Sequence, residues 1–483
     1  MIIRIKKKKV SNSLVLLFTA IFPIHNLCAQ AYDYTGKDTK GIEDIVNDAV
    51  EQKDWRTDAY ERIDEYRKAD LAITVKDASG RVLPNAEITI EQTDHEFPFG
   101  MVVNAREIAG VGETSDLFRE ILPYFANKLC MENSLKQRNG PANEERTRGI
   151  FKWAKEHGFE IRGHNLIWPH GMYLPKDVET FVYGKTHTSY NEHIASEPLD
   201  LSEAQKEELR NMVAQKIADW AAKWDVPDWD VINEPRVNHH LMDILGKEVI
   251  VEWFKIAREH AVRPDAGLIL NENRVISAGP EEYEENIKNY MGWIQLLIDN
   301  DAPITGIGFQ ARMNHDVSAE EIWRRINLFN KFGLPLSITE MQVQRRNDPS
   351  LKEYKKAELI ERAMTLYFSH PMVDQIFQWD LMARGEKRNM DEEELSRAQM
   401  RAGRSLVWSD GSLKLNGKIY LWLINNHWRT NETVKTDEKG TVQLRGFKGT
   451  YKIGAKHNGQ SIDLGTLQLP EGGYKTELTA EVN

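Results

Sequence analysis

Eight short apolar runs recur through the middle of this chain, at about 97–104, 128–133, 160–168, 228–234, 267–273, 305–311, 335–341 and 375–380. Stretches with helical periodicity separate them, for example 204–224, 249–262, 282–298, 319–332 and 354–368. A strand that is followed by a helix returns to the same end of the sheet, so the pattern predicts parallel pairing. Eight such units are the number that closes a (β/α)8 TIM barrel of about 250 residues. At 483 residues the chain is then one large α/β unit with smaller appendages. A doubly wound open sheet is the alternative reading of the same alternation.

The flanks read differently. Arg4 and Lys6 to Lys9, an apolar stretch from Leu14 to Ile24, and Leu27-Cys28-Ala29-Gln30 have the three regions of a secretory signal, so 1–30 is expected to be a leader. A retained membrane anchor fits less well, because the apolar stretch is short of the roughly 20 residues a span needs. Cys28 raises lipoprotein anchoring as an alternative, against which His25 and Asn26 stand where small residues are wanted. The expectation is an exported protein, periplasmic or extracellular, with no membrane insertion once the leader is gone.

Loss of the leader takes five positive charges, leaving 58 basic against 74 acidic side chains and moving the net charge from −11 to −16. Such a surface disfavours nucleic acid and anionic membranes as partners and suits a neutral or weakly charged substrate. Cys130 would be the one remaining cysteine, expected to pack in the core. No cofactor and no metal site are expected, and oligomeric state is left open.

Residues 31–69 read as a linker leading into a docking helix. Leu71–Val75 and Ala86–Ile90 alternate around the turn signal Asp77-Ala78-Ser79-Gly80, which predicts an N-terminal β-hairpin extension over 70–95. The barrel is expected over 96–430, closing with a charge-rich stretch, Arg384 to Arg404, and a helix from Lys418 to Trp428. Alternating segments around glycines after that predict a small C-terminal β-domain over 431–483.

In such barrels the reactive groups stand at the C-terminal strand ends. Asn104, Glu132 and Asn133, His164, Asn233 and Glu234, Asn271 to Asn273, Gln310, Glu340 and Trp379 all fall there. Two of them end buried runs as carboxylates: Trp229-Asp-Val-Ile-Asn-Glu234-Pro and Leu336-Ser-Ile-Thr-Glu340-Met. A carboxylate there is costly unless chemistry or an ion pair needs it. Cleavage of a glycosidic bond through a covalent intermediate needs one carboxylic acid and one carboxylate about 5 to 5.5 Å apart. Strands four and seven face each other across a small barrel. Glu234 is the expected general acid and base, with its pKa raised by the second carboxylate and poor solvation. Glu340 is the expected nucleophile, and Asn233 the partner of the sugar 2-hydroxyl.

Phe97-Pro-Phe-Gly100 with Asn104-Ala105, Glu132-Asn-Ser-Leu-Lys136, Arg162-Gly-His-Asn-Leu-Ile-Trp168, Trp229–Glu234, Gly306-Ile-Gly-Phe-Gln310 and Ile338-Thr-Glu340 together resemble glycoside hydrolase family 10. That is the family of endo-β-1,4-xylanases, and the resemblance covers roughly 95–428. It implies that Glu132, Asn133 and Lys136 hold the sugar on the non-reducing side of the cleavage point. It further implies that His164 and Trp168 line the pocket at the cleaved sugar, that Gln310 contacts it, and that Trp379 stacks on it. The implied partner is a polysaccharide or oligosaccharide.

The sequence departs from the family at three places. Arg312 stands where the family usually has a histidine beside the nucleophile, Pro169 replaces the histidine after Trp168, and Asp380 replaces a small residue. The 169–200 loop is also long and carries Tyr173, Phe181, Tyr183 and Tyr190. Two alternatives therefore stay open: a catalytically impaired carbohydrate-binding barrel, or a retaining β-glycosidase acting on another plant or algal polysaccharide. Metal catalysis has one foothold, His239-His240 with Asp243, which reads as a solvated loop.

Overall fold

The computed structural model describes residues 32–139, 142–277, 279, 282–344, 351–383 and 403–480. The expected leader with Cys28, and nearly all of the 384–404 stretch, lie outside them. The strands are β1 Lys68–Asp77, β2 Glu87–His95, β3 Phe99–Val103, β4 Lys128–Met131, β5 Glu160–Ile167, β6 Asp228–Asn233, β7 Gly267–Glu272 and β8 Gly306–Phe309. They continue as β9 Arg312–Met313, β10 Leu336–Val343, β11 Val373–Gln378, β12 Asn431–Lys435, β13 Thr441–Phe447, β14 Gly449–His457, β15 Gln460–Leu469 and β16 Tyr474–Ala480.

All eight expected runs form strands, and they close. The order is β3-β4-β5-β6-β7-β8-β10-β11, with β11 returning to β3, and every neighbouring pair is parallel. β3, β6 and β10 are buried along their whole length, as strands covered on both faces must be. Gly163 is a packing requirement: a Cβ there would fall 2.1 Å from the Trp229 ring, which fills that part of the barrel. The two-residue β9 runs beside the end of β10 and pairs Arg312 with Gln342. Cys130 is buried with Val102, Phe377 and Trp379.

A buried charged layer crosses the barrel. Arg162 binds Asp228 (2.8 Å) and Asp230 (2.6 Å), and Lys128 binds Asp228 (2.8 Å) and Gln375 (2.9 Å). Two cations face two anions there, so no charge is left uncompensated.

The expected N-terminal hairpin does not form as a pair. The turn exists, with Asp77 N–H donating to the Arg81 carbonyl, but β1 and β2 enter different sheets. β1 lies between β13 and β16, and β2 lies between β12 and β14. The sheets share one core, to which Leu71, Ile73, Val75, Ile88 and Ile90 contribute along with Val442, Tyr451, Ile453 and Leu469. The reason is physical: each N-terminal strand has one apolar face, and face-to-face packing buries both, whereas a lone hairpin would leave that face in water. The 70–95 and 431–480 segments thus make a single β-sandwich.

The 31–69 segment is mostly helical, Glu43–Val50 and Arg56–Arg67, and it packs on the barrel through Ile42, Ile45, Tyr60 and Ile63. Arg56 pairs with Glu361 through Nε (2.9 Å) and a terminal nitrogen (2.8 Å), both residues being buried. The closing helix runs Leu415–Trp422 and then widens into a π-turn over Leu423–His427. Among the described residues no helix is long and apolar enough to cross a membrane.

Candidate active site

The site is built at the C-terminal ends of the barrel strands, from β3 to β11. Strand β6 stops at Asn233, and Glu234 turns the chain with φ +57° in the left-handed region, which side chains other than glycine rarely adopt. Two backbone bonds hold that turn, Glu234 N–H to the Asn271 carbonyl (2.7 Å) and Asn238 N–H to the Glu234 carbonyl (2.9 Å). The side chain is fixed as well. Gln310 Nε2 donates to Oε1 (2.6 Å) and Asn238 Nδ2 donates to Oε2 (2.9 Å).

Glu340 lies within β10 and is 1% exposed, so its oxygens meet only placed groups. Asn271 Nδ2 sits 3.2 Å from Oε1 and 2.9 Å from Asn233 Oδ1, and Thr339 Oγ1 donates to Asn271 Oδ1 (2.7 Å). Arg312 donates from Nε to Oε2 (2.9 Å) and from a terminal nitrogen to the same oxygen. His164 Nε2 stands 4.0 Å from Oε1. Its Nδ1 is 2.7 Å from Asp230, which Arg162 holds in turn, so the buried charged layer sets the His164 ring.

The remaining expected residues form one flank. Asn104 Nδ2 donates to Glu132 (2.8 Å), and Lys136 Nζ donates to Asn133 (3.2 Å) and lies 4.9 Å over the Trp168 ring. Burial draws Lys136 below the ordinary lysine range, and the charges of Glu340, Glu132 and Glu234 oppose that shift. Tyr173 stacks on Trp168 at 3.7 Å and 7°. Trp379 is 6% exposed, and the Arg312 guanidinium covers its ring at 3.9 Å. Asp380 pairs with Arg404. The Pro169 carbonyl accepts from Leu241 N–H (3.3 Å), tying the long loop to the segment after β6.

Sequence reading assigned no role to four contributors. Asn271 was visible as a strand-end residue, but nothing local marks it as the link between Asn233 and Glu340. Asn238 is four residues after Glu234, a spacing that becomes meaningful only with the Pro235 turn. Asp230 acts from below through His164. Glu272 is wholly buried and accepts N–H bonds from Arg236 (2.8 Å) and Asn273 (2.8 Å). Burial, and then the charge of Glu234, push its carboxyl up to about 8, against the pull of those N–H groups.

Fold and site together define a closed (β/α)8 barrel with carboxylates at its fourth and seventh strands, each held by amide side chains: Gln310 and Asn238 on Glu234, and Asn271 on Glu340. The family model of glycosyl hydrolase family 10 matches residues 90–390, and the chain belongs to that family. It is 24% identical over 433 residues to anti-sigma-I factor RsgI6 of Acetivibrio thermocellus, covering 89% of this chain and 50% of that protein. It is 23% identical over 400 residues to endo-1,4-beta-xylanase 1 of Arabidopsis thaliana, covering 81% and 36%. The chain thus spans half or less of the length of these two curated relatives. Two solved structures align with TM-score 0.53 at 20% identity. A GH10 endoxylanase from a sugarcane soil metagenome is covered to 97% by 69% of this chain, and xylanase 10B of Thermotoga petrophila in complex with xylobiose to 95% by 68%. At that identity the likeness is one of fold.

Proposed function

We propose that this chain is an exported retaining glycosidase that cleaves β-1,4-linked xylan or a related β-glycan, with Glu234 as acid and base and Glu340 as nucleophile. The observation that carries the reading is the network joining the two strand ends: Gln310 on Glu234, and Asn271 on both Glu340 and Asn233. Family membership and the xylanases among its relatives support the substrate class. Export rests on the basic and apolar N-terminal residues.

In this mechanism Glu340 attacks the anomeric carbon while Glu234 gives its proton to the departing glycosidic oxygen. A glycosyl ester on Glu340 results, and the first product leaves with the proton. Glu234, now a carboxylate, takes a proton from water; the water oxygen bonds to the anomeric carbon and Glu340 is released. Asn233, held by Asn271, is placed to bond the 2-hydroxyl as positive charge develops on the ring.

Reducing-end release from xylan, mixed-linkage glucan and aryl β-xylosides, compared between wild type and Glu340→Ala, tests the proposal. Cleavage by wild type and loss of at least about 10³-fold in the variant is expected. A wild type that binds glycan without cutting it overturns the enzyme reading.

A second reading, a glycan-binding barrel with impaired catalysis, has one observation in its favour: both Arg312 contacts fall on Glu340 Oε2, an oxygen the nucleophile needs free. The same assay separates the two.

A further inference from the structure

We propose that His170, His187, His193 and His240 bind one divalent transition-metal ion of the zinc class, which fastens the 169–200 loop to the segment after β6. The first three belong to that loop, and His240 opens the helix His240–Leu245. His193 Nε2 lies 2.9 Å from both ring nitrogens of His170, and His170 Nε2 lies 3.1 Å from His240 Nε2. Ligands about 2.0–2.1 Å from one tetrahedral zinc sit roughly 3.3 Å from each other, close to these separations. Imidazoles without thiolates or converging carboxylates suit zinc, copper or nickel, and not calcium or magnesium.

The surrounding groups match what such ligands require. His187 Nδ1 is 2.8 Å from the buried carboxylate of Glu179, which Arg138 also holds at 2.8 Å. A carboxylate on one ring nitrogen orients the other toward an ion. That other nitrogen, His187 Nε2, is buried with no hydrogen-bond partner among the described residues, as is His193 Nδ1. The His187 and His193 ring centres are 5.0 Å apart. Tyr183 Oη sits 2.5 Å from His240 Nδ1. Gly171 gives the cluster its room, since a Cβ there would fall 1.7 Å from His193 Cε1.

Among the described residues no group of three or more His, Cys, Asp or Glu side chains is positioned to hold a metal ion as the rings now stand. His193 and His240 pack edge to face on His170, with ring centres 4.0 and 3.9 Å away. Loading requires the rings to turn about χ1 and χ2 until their lone pairs converge. His239 is not part of the set, because it pairs with Asp243 (2.6 Å) on a half-exposed face. The proposal does not depend on hydrolysis. Asn238, two residues before His240, donates to Glu234 Oε2 at 2.9 Å, which ties the segment carrying His240 to the proposed acid.

The test uses the full chain stripped with a chelator and titrated with zinc by calorimetry, then with cobalt, whose visible absorption reports tetrahedral imidazole ligation. One equivalent is expected, with a higher melting temperature on loading. His193→Gln and His170→Gln should lose at least about tenfold in affinity, while His239→Ala should bind as wild type. Circular dichroism of each variant in the chelator establishes that it folds. Absence of stoichiometric binding by wild type, or binding unchanged in both folded glutamine variants, overturns the proposal and leaves a hydrogen-bonded histidine clasp.

Discussion

The guanidinium of Arg312 lies 3.9 Å above the Trp379 ring and donates from Nε to Glu340 Oε2 at 2.9 Å. One side chain thus occupies both an oxygen of the proposed nucleophile and the face of the proposed sugar platform. A guanidinium cannot give up its proton and is held here by charge as well as by stacking, so substrate has to displace it or approach around it.

Arg312→His frees the Trp379 ring and leaves a smaller donor beside Glu340. Its kcat/KM on aryl β-xylosides is expected to rise by about tenfold, equivalent to about 1.4 kcal/mol in the barrier. Steady-state rates decide it, and a fall of similar size would show that the arginine assists the reaction.

Glu272 gives a pH signature. Its folded-state carboxyl titrates near 8, above its ordinary value of 4.5, so the folded chain holds a proton that the unfolded chain releases between those values. Stability is therefore fully present below about pH 4.5 and is lost as pH rises through about 8. Glu272→Gln should remove this slope. Urea unfolding of both proteins at pH 5 and pH 8 measures it: the fall between the two pH values, on the order of a few kcal/mol, should be smaller in the variant.

The Arg56–Glu361 pair joins the N-terminal helices to the barrel in a buried setting. Glu361→Ala leaves the guanidinium without its carboxylate and should cost about 3–5 kcal/mol, read from denaturant unfolding. A loss under about 1 kcal/mol would mean that water reaches Arg56 readily.

Ending the chain at residue 430 removes β12 to β16 and uncovers Ile73, Ile88 and Ile90. The truncated protein should bind a hydrophobic dye and aggregate, in contrast to a barrel shedding an independent domain. A soluble product with an unchanged melting temperature would contradict the shared sandwich.

The barrel was legible in the chain because its signal is local. Each parallel strand is apolar over its own few residues, as in Trp229–Ile232 and Leu336–Ile338, and the helices between carry their own period. Glu234 and Glu340 stood out for the same reason, as carboxylates ending such runs. The hairpin expectation erred because alternation in Leu71–Val75 reveals one apolar face but not what covers it. What covers it is the sheet β12-β2-β14-β15, of which β12, β14 and β15 lie more than 350 residues away along the chain.

By itself the sequence determined the eight barrel strands and the polar residues at their ends, since these follow from periodicity and turn chemistry within windows of a few residues. Tertiary structure alone decided that Asn271 joins Asn233 to Glu340, that Arg312 covers both Glu340 and Trp379, and that four histidines from two segments meet. These contacts depend on barrel closure and side-chain direction, which bring distant positions within 3 to 5 Å and leave no local trace in the order of residues.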